Sequence, residues 1–257
     1  MGKVVGTMTW SMNGATVSLN APSVMGILNV TPDSFYAQSR SMVEANIRRQ
    51  ARQMADEGAD IIDIGGCSTR PGSVPVTADE ELKRLSTALA AVRDELPDVL
   101  LSVDTFRRDV AMECVHRFGP FIVNDVSGGD ATLRGLPYVC MCPTADPISF
   151  FERRLPELQA AGIDEVILDP GFGFGKSEAE NYSVLSRLEE LQRWHCPVLV
   201  GVSRKSMIWR PLGVTPDEAL PGTIVLHTVA LQKGASILRV HDVREARQAI
   251  QLVARII

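Results

Sequence analysis

From residue 24 onward the chain alternates short apolar runs with longer stretches in which apolar and polar residues recur at helical spacing. The runs are Val24–Val30, Asp60–Ile64, Val99–Asp104, Phe121–Asp125, Tyr138–Met141, Val166–Asp169, Val198–Val202 and Ser236–Val240. They are rich in Val, Ile and Leu and show no strict polar alternation, which marks strands covered on both faces. Between and after them lie amphipathic segments at 42–58, 78–96, 106–118, 148–161, 179–193, 217–233 and 242–256. Eight strands interleaved with helices predict an α/β protein of the (β/α)8 TIM-barrel class, with a doubly wound open sheet as the alternative. Before the first run, Val4–Trp10 and Met12–Leu19 read as a hairpin turning at Asn13-Gly14, so residues 1–23 form an extension placed to cap the bottom of a single barrel domain spanning 1–257. One connection is short: residues 126–137, with Gly128, Gly129, Gly135 and Pro137, leave room for a fourth helix of a turn or less.

Barrel enzymes carry their chemistry at the C-terminal ends of the strands. Closing or following the eight runs are Asn29; Thr69 and Arg70; Asp104; Asn124 and Asp125; Met141; Asp169; Ser203-Arg204-Lys205-Ser206; and Arg239 with His241. The polarity is sorted. Arg204, Lys205, Arg239 and His241 gather on the last two strands, where barrels often bind phosphate, and Arg70 adds a guanidinium. Asp104, Asn124 and Asp169 supply acceptors suited to a ring with adjacent N–H donors. The expected site is therefore bipolar, with acceptors for a donor-rich heterocycle and cations for a diphosphate. Asn29 offers an oxygen suited to Mg2+, which takes few protein ligands when phosphates bridge it.

Composition narrows the partners. The 257 residues carry a net charge of -5, which disfavours nucleic acid or an anionic membrane as the main partner. No apolar run is long enough to span a bilayer, and the first residues lack a signal-peptide pattern. Five cysteines without a C-x-x-C pair fit a reducing cytoplasm; Cys140-Met-Cys142 reads as strand rather than metal site. The stretch "DPGFGFGKS" (169–177) ends like a phosphate-binding P-loop, but the first glycine of that motif would fall at Pro170.

The segments "VMGILNVTPDSF" (24–35), "DIGGCSTRPG" (63–72), "SVDT" (102–105), "ND" (124–125), "LDPGFGFGK" (168–176), "GVSRKSM" (201–207) and "LRVHDV" (238–243) together resemble the dihydropteroate synthase family, in the family's order and over almost the whole chain. The resemblance implies a TIM barrel, Mg2+ dependence, a homodimer, and condensation of a dihydropterin-6-ylmethyl diphosphate with 4-aminobenzoate. It implies metal contact at Asn29 and pterin reading by Asp104, Asn124, Met141, Asp169 and Lys205. It places Thr69, Arg70, Arg239 and His241 on the diphosphate, and Phe35, Pro71, Phe174 and Ser203 around the aminobenzoate. Asp33, Arg70 and Lys205 become the catalytic set. The chain departs from the family's pattern at Tyr36-Ala-Gln-Ser39, at Cys67 where a Glu is common, and at strand five, where "VCMCPTADPISFF" (139–151) lacks the family's histidine and long loop. These departures keep two alternatives open: a pterin-binding paralogue of weak activity, and a pterin-dependent methyltransferase.

Overall fold

The computed structural model describes residues 6–12, 15–30, 40–67, 76–127 and 133–256. Two antiparallel strands, β1 (Gly6–Met12) and β2 (Ala15–Ala21), pair from Gly6↔Ala21 to Met12↔Ala15. Eight parallel strands follow: β3 (Ser23–Asn29), β4 (Ile61–Gly65), β5 (Leu100–Asp104), β6 (Ile122–Asp125), β7 (Tyr138–Met141), β8 (Val166–Asp169), β9 (Leu199–Val200) and β10 (Ile237–Val240). Their order is β8-β7-β6-β5-β4-β3-β10-β9, and a parallel bridge between Leu168 and Val198 brings the two ends together, so the sheet closes on itself as a barrel. All eight runs predicted from sequence are strands, with bounds shifted by up to two residues.

The outer layer is helical: α1 (Arg40–Asp56), α2 (Ala78–Glu95), α3 (Arg108–Phe118), α4 (Pro147–Ala160), α5 (Glu178–Ser186), α6 (Ser206–Leu212), α7 (Leu220–Gln232) and α8 (Val243–Val253). Three of these helices, α2, α4 and α5, start at a side-chain cap. Thr77 accepts from Glu80 N ahead of α2, and Asp146 accepts from Ser149 N ahead of α4, whose first residue is Pro147. The stretch 179–193 is α5 followed by a 3-10 helix at Leu188–Trp194, and α7 is preceded by a 3-10 turn at Asp217–Ala219. The short α6 was not expected from the pattern. Between β6 and β7 the described residues contain no helix, in line with the short crossover; residues 128–132 lie outside the description.

Two apolar clusters divide the interior. The larger lies between the barrel and its helices. The smaller fills the barrel's lower end, where Met25, Ile61, Ile122, Val139, Ile167, Leu199 and Ile237 meet Met8, Trp10 and Met12 of the hairpin. The hairpin thus caps the end opposite the functional mouth. Its turn, residues 13–14, is outside the described residues.

The period of two along a strand decides what comes next. Two residues further along each strand, the inner-facing positions are Ile27, Asp63, Asn124, Met141, Asp169, Gly201 and Arg239. Strand β5 presents Ser102 and Asp104 at these levels, paired with Asp63 and Gly65. The barrel interior therefore becomes more polar toward its C-terminal end.

Candidate active site

The polar layer is an ion network. Arg239 donates from Nε to Asp63 Oδ2 at 2.7 Å and from Nη2 to Asp104 Oδ2 at 2.6 Å. Asn124 donates from Nδ2 to the same Asp63 oxygen at 3.1 Å. Burial works against the Arg239 charge, but Asp63 and Asp104 outweigh it and hold the guanidinium above its usual range. Burial pushes the Asp104 carboxyl up from the ordinary carboxylate range, with Arg239 pulling it back down and Asp63 adding to the rise.

Across the mouth, Asp169 accepts Gly171 N at 2.7 Å on Oδ1. Burial raises its pKa, opposed chiefly by the Lys205 charge. Lys205 enters from the loop after β9 and donates from Nζ to the Phe172 carbonyl. That ammonium also lies 4.8 Å from the centroid of the Phe174 ring. Burial pushes the Lys205 pKa down to about 8, with Asp169 opposing the fall. Two glycines stand beside these groups. A Cβ on Gly201 would stand 3.9 Å from both Lys205 Nζ and Arg239 Cβ, and one on Gly65 would stand 3.4 Å from Asn29 Oδ1 and 3.8 Å from Asp104 Oδ2.

Among the described residues, no hydrogen bond engages Asp104 Oδ1, Asn124 Oδ1 or Asp169 Oδ2. Three acceptor atoms thus line the mouth together with an ammonium. Met141 is buried beneath Gly171, whose φ of 69° no Cβ would tolerate here: one would sit 2.5 Å from Met141 Sδ and 2.2 Å from the Cys142 carbonyl. Ser203 Oγ accepts the His241 backbone N at 3.2 Å, which ties the loop after β9 to the end of β10 and leaves His241 exposed. Asn29 is the one exposed residue of an otherwise buried β3.

The structure thus brings together Asp104, Asn124, Met141, Asp169, Lys205 and Arg239, with Asn29, Phe174, Ser203 and His241 at the rim. Asp33, Phe35, Thr69, Arg70 and Pro71 lie outside the described residues. Two strand-end residues turn elsewhere. Asp125 faces outward, where it accepts from Tyr138 Oη and from Ser127 N at 2.7 Å. Arg204 is bound by both oxygens of Asp242, each at 2.8 Å, and so leaves the expected cationic cluster. Sequence reasoning missed Asp63 and Ser102. The available signal was a charged residue inside the run "DIIDIG", two positions before the strand's end.

The P-loop-like segment proves structural. Lys176 Nζ donates to the carbonyls of Cys142, Gly171 and Phe174 at 3.0, 2.9 and 3.3 Å, pinning the loop that carries Asp169. Ser177 forms a capping box with Glu180 at the start of α5. Replacing Ser177 by Ala should cost about 1 kcal/mol in denaturant unfolding, a cap's usual worth, and leave kcat unchanged. A lost kcat at intact stability would return this serine to the chemistry.

A barrel whose mouth pairs three open acceptors with a partly buried ammonium defines an enzyme site for a small, donor-rich ring. A model of the family described as "Pterin binding enzyme" matches residues 25–145 and 143–241. The dihydropteroate synthase of Escherichia coli K12 is 38% identical over 93% of this chain and 93% of its own. Solved structures agree. The dihydropteroate synthase of Xanthomonas albilineans with 4-aminobenzoic acid superposes with a TM-score of 0.86 at 34% identity, covering 98% of each chain. That of Clostridium difficile, in the presence of pteroic acid, gives 0.85 at 37% identity over 92% of this chain and 97% of that one. The chain belongs to the dihydropteroate synthase family of pterin binding enzymes.

Proposed function

We propose that the protein condenses (7,8-dihydropterin-6-yl)methyl diphosphate with 4-aminobenzoate, giving 7,8-dihydropteroate and diphosphate in folate biosynthesis. The observation that carries this reading is that the open acceptors of Asp104, Asn124 and Asp169 share one mouth with the Lys205 ammonium. A pterin's amino and ring N–H groups are donors on adjacent atoms, which a carboxylate accepts together, and its carbonyl suits an ammonium. The methyl-transfer alternative is not favoured, because the relatives named above are dihydropteroate synthases.

The reaction breaks the bond between the exocyclic carbon and the diphosphate oxygen and forms one from that carbon to the aniline nitrogen, which gives up a proton. As the diphosphate leaves, positive charge develops on the carbon and spreads into the ring. The fixed carboxylates of Asp104 and Asp169 favour that charge in a site shielded from water. Lys205 holds the ring's carbonyl side, and its ammonium over Phe174 fixes one wall of the space we assign to the aminobenzoate, with Ser203. In this reading His241, just after β10, faces the leaving group, with Arg239 beside it held through Nε and Nη2 by Asp63 and Asp104, and Thr69, Arg70 and Pro71, with Asp33 and Phe35, complete the site. No nucleophilic side chain is required.

Asn29 would contribute to a Mg2+ site in this reading: its amide oxygen stands at the rim beside Gly65, and Mg2+ takes few protein ligands where phosphates complete its shell. Bound there, Mg2+ supplies charge neutralisation to the diphosphate oxygens.

We assign the protein to the cytoplasm as a homodimer. Its five cysteines are free thiols, which suits a reducing compartment, and no helix among the described residues is long and apolar enough to cross a membrane. Val225 on α7 and Leu252 on the adjacent α8 expose large apolar side chains suited to a second copy. Purified protein given both substrates and Mg2+ should yield 7,8-dihydropteroate by mass spectrometry. Chelation with EDTA should stop turnover and added Mg2+ restore it. Full turnover in excess EDTA would remove the metal from the account.

A further inference from the structure

Asp63 is fully buried, one step deeper in the barrel than Asp104 and Asn124. Two donors meet on its Oδ2, Nε of Arg239 and Nδ2 of Asn124, and Nη2 of Arg239 stands within ion-pair distance of it. Its Oδ1 has no partner among the described residues. Such a carboxylate dictates the polarity of its neighbours. Were Asn124 turned the other way, two acceptor oxygens would face each other, so the amide must point its NH2 down at Asp63. Oδ1 is then the Asn124 atom left for a ligand at the mouth. The same carboxylate and Asp104 hold two nitrogens of the Arg239 guanidinium, which fixes its plane.

We propose that Asp63 is a positioning residue for ring recognition: it orients Asn124 as an acceptor toward the mouth and locks Arg239 beside it. The inference rests on the proposed function, in which the ligand at that mouth is a dihydropterin. Asp63 acts through Asn124 and Arg239, so its removal acts on ring binding and leaves the aminobenzoate side untouched.

Two variants separate its contributions. Asp63→Asn keeps the shape and one acceptor oxygen but removes the charge; Asp63→Ala removes both. The pterin diphosphate KM should rise roughly tenfold in the first and roughly a hundredfold in the second, as expected for hydrogen bonds to a charged group. The 4-aminobenzoate KM should move less than about twofold, being read on the far side of the mouth. In an Asn124→Ala background the Asp63→Asn effect should shrink at least about threefold, because the orientation it would disturb is already gone. A residue that only supports the fold would lower the melting temperature, shift both KM values together and act equally in both backgrounds. If Asp63→Ala does not fold, Asp63→Asn carries the test alone. Active wild-type protein with an unaffected Asp63→Asn, or with equal effects in the two backgrounds, overturns this inference alone. Wild-type protein that neither binds nor turns over the pterin overturns the proposed function and this inference with it.

Discussion

Lys205→Ala should lower kcat/KM for the pterin diphosphate by roughly a hundredfold to a thousandfold, the usual effect of removing a preorganised donor from a shielded site. Its ammonium stands between the Phe172 carbonyl, the Phe174 ring and the Asp169 charge, so no other described cation can take its place without displacing the loop. The same residue sets a pH limb. Burial lowers its pKa to about 8, so the ammonium is present below that value and gives up its proton as the pH rises through it. If the cation binds the ring, kcat/KM falls above about pH 8 in the wild type. Lys205→Ala lacks that limb and stays uniformly low. A pH–rate profile of both proteins checks this; a wild-type profile flat to about pH 10 would remove Lys205 from binding.

Asp169→Asn should weaken pterin binding by roughly a hundredfold or more, since a site built for donors then presents one of its own. Local geometry makes the effect directional. Gly171 N donates to Asp169 Oδ1 at 2.7 Å, and in the variant that N–H will hold the amide oxygen. The amide NH2 is then left facing the ring's N–H groups. Calorimetry with the pterin ligand measures the loss. Melting temperature serves as the control, because Lys176 still clamps the surrounding loop through three carbonyls. Unchanged affinity in a folded variant would mean that Asp169 serves the loop and not the ligand.

Both predictions rest on residues that the sequence makes visible. A parallel strand covered on both faces reads as an apolar run, so the eight strands stand out, and the polar residue closing each run marks the mouth. Asp104, Asn124, Asp169, Lys205 and Arg239 follow from that rule. Asp63 does not, because a charge inside a run reads as an interruption; only the two-residue period of the inner face shows that it lies below Gly65. Arg204 misleads for another reason. It adjoins Lys205 in sequence, but its positive φ of 53° turns it toward Asp242, 38 positions away. The helix α6 is hidden because Ser206 opens it directly after a polar loop and Pro211 falls within its few residues. Asp33, Phe35 and Pro71 rest on the family resemblance, with no strand pattern of their own to place them; Thr69 and Arg70, read after the second run, lie outside the described residues.

The near-match to a P-loop shows how burial sorts similar side chains. Lys176 and Lys205 both end polar loops, yet one spends its three donors on backbone carbonyls while the other stands in the mouth with one such bond. A lysine whose protons are already taken can hold a loop but cannot bind a phosphate.

The most direct test follows diphosphate release by the purified wild-type protein with the dihydropterin diphosphate and Mg2+, with and without 4-aminobenzoate. The account predicts release that depends on 4-aminobenzoate and equals the 7,8-dihydropteroate formed, mole for mole. No dihydropteroate from folded protein, or diphosphate release indifferent to 4-aminobenzoate, would contradict it.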